Sequence, residues 1–310
     1  MSSSKSTDFR GRLGYACLNT VLRAQKPSIY SSRTCRLDTI KTKGLNFVKG
    51  LAMANVRDIE PMLRWNETHH IRFLRLSSDM FPFMSHAELG YPIDFAETEL
   101  RRIGQLANTL GHRLTFHPGQ FNQLGSPSAK VIDNSLWELD QHAQILDFMH
   151  MPADSVMIIH MGGMYGSKSD TLERFAANFR RLSPSAQARL VLENDEICYS
   201  VADLMPLCER LSIPLVLDWH HDDINPSPEP PESYLPAIRA IWERRGIRPK
   251  QHYSEGRRGG DKEQAVFQLY EIYGLHPVDP TVVRPPAAEE TTQTKGRKSS
   301  KNHPVASNFG

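Results

Sequence analysis

No stretch of the 310 residues stays apolar for the roughly 18 positions that a membrane-spanning helix requires, so no membrane partner is expected. The opening Met-Ser-Ser-Ser-Lys-Ser-Thr-Asp has no apolar core, which argues against a secretory signal. Cysteine is scarce: Cys17, Cys35, Cys198 and Cys208 form no Cys-x-x-Cys pair. That excludes a disulfide framework and a thiolate zinc cluster, and predicts reduced thiols in an intracellular protein. A glycine-rich loop after the first apolar run is also missing, which removes the main signature of an open dinucleotide-binding sheet. Net charge is slight, at +2.

Charge of one sign does gather locally. Between Val21 and Gly50 stand seven basic residues (Arg23, Lys26, Arg33, Arg36, Lys41, Lys43, Lys49) against one acid, Asp38. A phosphate backbone rewards such clusters through counterion release, although many charge runs are only solvated surface. A hydrophobic share of 39% and a charged share of 23% fit a globular domain.

Short runs rich in Val, Ile, Leu and Phe recur at Arg12–Asn19, Ile71–Ser77, His112–His117, Ser155–His160, Arg189–Glu193, Pro214–Asp218 and, more weakly, Pro249–Ser254. Between them Glu97–Leu110, Ser135–Met149, Asp170–Leu182, Val201–Leu211 and Ser233–Arg244 carry Leu and Ile at helical spacing, with Asp170 and Ser200 as predicted N-caps. Strands alternating with helices imply parallel pairing, and near-continuous apolar strands imply a sheet covered on both faces. Seven such units predict an α/β fold of the TIM-type (β/α) barrel class. The barrel domain is expected over residues 12–278, after a short lead at 1–11. Residues 279–310 change composition, through Pro285-Pro286 to Lys295-Gly-Arg-Lys-Ser-Ser-Lys301, and read as a disordered basic tail. Its cluster suits a nuclear address, with the mitochondrion as the alternative.

The chemistry sits at the ends of the runs. Run three ends in His117-Pro-Gly-Gln-Phe121, run four in His160-Met-Gly-Gly163, run five in Glu193-Asn-Asp195 and run six in Asp218-Trp-His-His221, while run seven contains Lys250-Gln-His252. In a parallel barrel these ends converge on the face that holds the active site. One histidine at a strand end is more often a packed structural residue. Five successive ends offering imidazoles, carboxylates and a lysine instead point to divalent ions of the zinc or manganese kind. Glu193 and Asp218 can each bridge two ions, and ions about 4 Å apart can polarise a phosphoryl oxygen, activate water and stabilise a leaving oxygen. The basic segment after run one would hold a nucleic-acid backbone over them. His142 and His150 read as helix residues, and His69-His70 lie at the opposite end of the barrel, so none receives a role.

Six motifs carry a further signal: Gly14-Tyr15-Ala-Cys-Leu-Asn19, Arg75-Leu-Ser-Ser-Asp79, His117-Pro-Gly-Gln-Phe121, Leu192-Glu-Asn-Asp195, Leu217-Asp-Trp-His-His221 and Pro249-Lys-Gln-His-Tyr-Ser254. In order and spacing they resemble the ultraviolet damage endonuclease family, from about Arg12 to about Gly274. The resemblance implies a monomeric DNA repair nuclease that nicks duplex DNA 5′ to ultraviolet lesions. Its cofactors would be divalent ions, manganese first, with zinc or magnesium as alternatives. His117 and His160 would bind one metal, Glu193 would bridge to a second, Asp218 would help hold that second, and His221, Lys250 and His252 would bind a third. Glu193, Asp218 and Lys250 are then the catalytic candidates, with Lys250 carboxylated on its amine. Gln120 and Phe121 would probe the flipped-out lesion, and Tyr15 and Asn19 would lie near the damaged dinucleotide. Extrusion costs least where stacking is already impaired.

One stretch departs from the family. Its members pass through another metal-binding histidine and an eighth strand ending in a glutamate ligand before an Asp-Lys-Glu-Gln helix. Here Ser254-Glu-Gly-Arg-Arg-Gly-Gly260 runs straight into Asp261-Lys-Glu-Gln and on to Tyr270. The expectation is an incomplete barrel, with the eighth strand missing, an unpaired gap between strands seven and one, a weakened second metal and reduced cleavage. Two other readings remain at this point: a catalytically weak damaged-DNA-binding protein, and a metal-dependent sugar isomerase-like barrel. The basic segment and the Gln120–Phe121 pair argue against the latter.

Overall fold

The computed structural model describes residues 12–254 and the backbone of residues 270–273. Seven short strands lie inside the seven expected runs: β1 (Tyr15–Ala16), β2 (Phe73–Arg75), β3 (Arg113–Thr115), β4 (Met157–Ile159), β5 (Leu190–Glu193), β6 (Leu215–Asp218) and β7 (Lys250–Tyr253). β1, β2 and β3 pair in parallel, as do β4 through β7. A single parallel bridge from Phe116 to Met157 joins the two sets. The result is a TIM-type barrel wall in sequence order.

The helices are α1 (Thr20–Arg23), α2 (Leu37–Lys43), α3 (Leu45–Thr68), α4 (Glu97–Thr109), α5 (Ala129–Phe148), α6 (Lys168–Phe179), α7 (Pro184–Arg189), α8 (Val201–Leu211), α9 (Trp219–Ile224) and α10 (Leu235–Arg244). Residues of β4, β5 and β6 are buried on both sides of the sheet, so their apolar character is continuous rather than alternating. The longest helix, α3, was not expected. It buries Val48, Ala52, Val56, Ile59 and Leu63, a three-and-four spacing that makes one apolar stripe. The basic segment is therefore partly helical rather than a loop.

Two further expectations change. Ser167, not Asp170, caps α6: its side chain accepts from the Asp170 backbone N–H. Ser200 does cap α8, and Asp203 completes a reciprocal capping box. The gap beside β7 is also not left open. Residues Tyr270–Tyr273 form β8, antiparallel to β7, with Gln251 opposite Ile272 and His252 opposite Glu271. β8 also approaches β1. Among the described residues no eighth parallel strand follows β7, and an antiparallel one pairs with it instead. Unpaired backbone groups on an edge strand favour such capture, and Tyr-Glu-Ile-Tyr has the aromatic and β-branched content that strands favour. The helix expected from Asp261 lies outside the described residues except at Tyr270, which is strand. The short lead at 1–11 and the basic tail from 279 also lie outside them.

Candidate metal centre

The strand ends meet at one mouth of the barrel. His117 and His160 follow β3 and β4, Glu193 ends β5, Asp218 ends β6, His221 sits in α9 and His252 in β7. Glu193 is the hub and is 1% exposed. Its Oε2 lies 2.9 Å from His117 Nε2 and 3.7 Å from His160 Nε2. Its Oε1 lies 2.6 Å from His252 Nδ1 and 3.7 Å from His221 Nδ1. Asp218 Oδ2 stands 3.8 Å from His252 Nδ1 and 3.9 Å from His221 Nδ1. Among the described residues, two groups bring their donor atoms within 4.8 Å of one another: His117, His160 and Glu193, and Glu193, Asp218 and His221. They share Glu193, as a bridging carboxylate would require.

Local structure explains this convergence. Asp218 is the N-cap of α9; its Oδ1 accepts from the backbone N–H of His220 at 2.8 Å and of His221 at 3.0 Å. That fixes the carboxylate and leaves Oδ2 toward the histidines. The pairing of β6 with β7 sets Asp218 opposite His252. Lys250 is two residues earlier in β7, on the same side of the strand and roughly 6–7 Å deeper in the barrel. It is fully buried, with its amine 5.0 Å from the centre of the Phe73 ring, a cation–π arrangement.

Charge is distributed to suit a cation. Burial pushes the Glu193 carboxyl up, but His252, His160 and His117 outweigh it and hold the group well below the usual carboxylate range. Burial pulls His117 down to about 4, against the opposing pull of Glu193, so its imidazole is neutral near pH 7. Burial lowers His221, but Asp218 and Glu193 raise it further. His160 Nε2 is beyond hydrogen-bond reach of Glu193, and its Nδ1 is buried with no partner. Imidazoles and carboxylates aimed at one another across such gaps fit a borderline divalent ion between them.

Of the remaining expected residues, Gln120 and Phe121 share the loop that carries His117, while Tyr15 and Asn19 lie in and just after β1. Gln120 and Phe121 are exposed, Phe121 at 79%. Tyr15 donates to Asn66 Oδ1 at 2.8 Å and accepts from Asn19 Nδ2 at 3.2 Å, while Asn19 Oδ1 caps α1 by accepting from the Leu22 N–H. Asn19 is thus buried and already engaged within the fold. Arg33, one of the seven clustered cations, pairs with Asp58 at 2.6 Å and lies 4.2 Å over the Tyr30 ring, which makes it a structural residue.

The sequence profile of the UV-endonuclease UvdE family matches residues 11–280. The chain belongs to that family. It is 47% identical over 291 residues to the UV-damage endonuclease of Schizosaccharomyces pombe, covering 90% of this chain and 48% of the relative. The UV-damage endonuclease of Neurospora crassa is 42% identical over 346 residues, covering 88% and 53%. The crystal structure of SacUVDE superimposes with a TM-score of 0.73 at 30% identity, covering 82% of this chain and 84% of that one. The chain spans about half the length of the two fungal relatives.

Within this UvdE-family chain, sequence reasoning overlooked the residues that hold the ligands in place. Asn194 is fully buried; its Nδ2 donates to the Asp218 carbonyl at 3.0 Å and its Oδ1 accepts from the Asp218 N–H at 2.8 Å. Its own carbonyl lies 2.9 Å from His221 Nδ1. Its side-chain amide thereby registers β5 against β6, and its backbone carbonyl orients an imidazole. The only signal was its place in the Glu-Asn-Asp motif. Glu196 was also overlooked: its Oε2 comes within 3.6 Å of His221 Nε2. Gly162, behind His160, has φ +85, and a Cβ there would stand 2.8 Å from the Gln123 side chain. Gly162→Ala is expected to cost about 1–3 kcal/mol and to lower the thermal midpoint by several degrees. An unchanged melting curve would contradict the close approach of these two loops.

Proposed function

We propose that this chain is a metal-dependent DNA repair endonuclease that nicks the phosphodiester backbone 5′ to ultraviolet photoproducts and related lesions. The observation that carries the reading is the Glu193-centred cluster of four imidazoles and two carboxylates at the mouth of a UvdE-family barrel. His117, His160 and Glu193 would hold one divalent ion; Glu193, Asp218 and His221, with His252 beside them, would hold another. The mix of nitrogen and oxygen donors suits zinc or manganese, and the family resemblance puts manganese first. Bound divalent ions would supply Lewis acidity to the scissile phosphate and activate the attacking water near neutral pH.

The protein's own part is positional. Asn194 and the α9 N-terminus hold Asp218 and His221, burial keeps His117 neutral, and exposed Gln120 and Phe121 meet the duplex where stacking is broken. DNA binding without efficient cutting is the second reading. It is favoured by the antiparallel β8, which stands where the resemblance places a parallel strand ending in a glutamate ligand.

Incubation with manganese and an ultraviolet-irradiated duplex separates the two. The expected result is a nick next to the lesion that disappears with a chelator and is absent from undamaged DNA. Tight lesion-dependent binding with no nick would support the second reading; indifference to the lesion would sink both.

A further inference from the structure

The outer flank of α5 carries a groove of about 600 Å3. Trp137, Asp140, Gln141, Gln144 and Asp147 follow one another at three- and four-residue spacing, so one face of the helix makes its wall. The loop holding Gly90 and Asp94 borders it, as does the start of α7 from Ser183. α5 leaves the metal mouth after β3 and returns toward the barrel floor, where β4 begins. Trp137 already lies roughly 12 Å along it. A ligand in this groove therefore leaves the strand ends that carry the metal donors uncovered.

The groove is acidic. Asp94, Asp140 and Asp147 line it, and among the described lining residues there is no lysine or arginine. Asp147 already pairs with Arg189 at 2.9 Å, and Asp140 Oδ1 accepts from the Ser183 N–H at 3.0 Å. Asp140 Oδ2 and the exposed Asp94 carboxylate remain to attract a cation. Such a face repels a phosphodiester, so it is no part of a path for DNA.

Two further side chains narrow the choice. Trp137 is 39% exposed, and the tip of its indole rests against Gly90, where a Cβ would stand 2.5 Å from Cη2. The ring is held in place while part of it stays open to solvent, and an indole is the best aromatic platform for a cation. Gln141 is 6% exposed; its Nε2 donates to the Tyr91 carbonyl at 3.4 Å, and its Oε1 has no partner. An acceptor stranded in this way favours a ligand that brings N–H groups.

A guanidinium meets these demands together. It is planar and weakly hydrated, so it stacks on an indole, and its forked N–H donors reach a carboxylate and a second acceptor at once. An ammonium is compact, strongly hydrated and has no plane to stack. Free arginine would bring its own carboxylate up to the aspartates, whereas an arginine inside a chain does not. The volume leaves room for an apolar neighbour beside it, against Ala143 and Pro184. Arginine and tryptophan are also the side chains on which interface energy concentrates.

We propose that the α5 groove docks an arginine-bearing segment of a partner protein, its guanidinium seated between Trp137 and Asp140 with an apolar side chain beside it. Charge complementarity carries the assignment, which does not depend on the repair reading. The partner would hold the barrel wall while the mouth stays open to DNA. Trp137 and Asp140 are then recognition residues and take no part in any reaction at the metal centre.

The test selects a displayed library of random short peptides on the full chain, then measures the binders as free peptides on wild type, Trp137→Ala and Asp140→Asn. Asparagine keeps an acceptor for the Ser183 N–H, so that variant should melt like wild type. The expected binders share an arginine next to an apolar residue. They should weaken about tenfold when citrulline replaces that arginine, and by a similar factor on either variant. A library that yields no binder, binders without arginine, or binders indifferent to both variants would overturn the proposal. Spermidine that displaces the peptides at equal concentration would assign the groove to free polyamines and overturn the protein partner. Nicking and lesion binding are not read in this experiment, so its failure leaves the repair reading untouched.

Discussion

Glu193→Gln is expected to lower lesion-dependent nicking by about a thousandfold or more. The carboxylate is shared by both donor groups, so one substitution weakens both at once. Loss of transition-state charge stabilisation worth about 4 kcal/mol corresponds to that factor. Glutamine keeps the shape and one acceptor oxygen, but presents an N–H₂ to either His117 or His252, where a carboxylate now faces each of them. Binding to damaged DNA should persist, because Gln120 and Phe121 are untouched. Single-turnover nicking at saturating manganese, alongside a binding isotherm, reads the two effects separately. Activity within tenfold of wild type would mean that Glu193 is a structural carboxylate and not a bridge.

At the opposite end of the barrel, Arg113→Met is expected to destabilise the fold by about 3–5 kcal/mol. The Arg113 side chain is completely buried at the start of β3. Its Nε donates to the Asp154 carbonyl at 2.6 Å, Nη2 to the Arg248 carbonyl at 2.9 Å and Nη1 to the Pro249 carbonyl at 3.4 Å. One guanidinium thus ties β3 to the segments entering β4 and β7, across the barrel floor. That clamp matters more where β7 has an antiparallel neighbour instead of the eighth parallel strand. Methionine fills the space but leaves three carbonyls without these donors. A fall in thermal midpoint of about 10 °C or more is the readout. As a contrast, Arg101→Met breaks only an exposed pair with Glu97 and should change stability by less than about 1 kcal/mol. Equal effects from the two substitutions would contradict the clamp.

The strands were legible because burial on both faces makes them continuous apolar runs, and because their ends carry unusual residues. Every run of the sequence contains the strand it predicts, from Tyr15–Ala16 to Lys250–Tyr253. The convergence of His117, His160, Glu193, Asp218, His221 and His252 followed from that order, since parallel strands deliver their C-termini to one mouth. α3 was hidden by its amino-terminal flank: Lys41, Lys43 and Lys49 drew attention to charge, while the stripe from Val48 to Leu63 supplied the packing. Asn194 was hidden because an amide joining two neighbouring strand ends has no local pattern; its partners come from β6, 24 residues later. β8 was hidden for a different reason. Tyr270–Tyr273 follows a helix-like stretch, and only the free edge of β7 makes strand the better choice there.

Manganese titration of metal-free protein, followed by the paramagnetic signal of the free aqua ion, asks most directly whether the Glu193 cluster is a metal centre. Wild-type protein should silence at least one equivalent, and a protein carrying both His117→Ala and Glu193→Gln should silence far less. Manganese that stays free beside correctly folded wild-type protein, or equal uptake by the variant, would contradict the account.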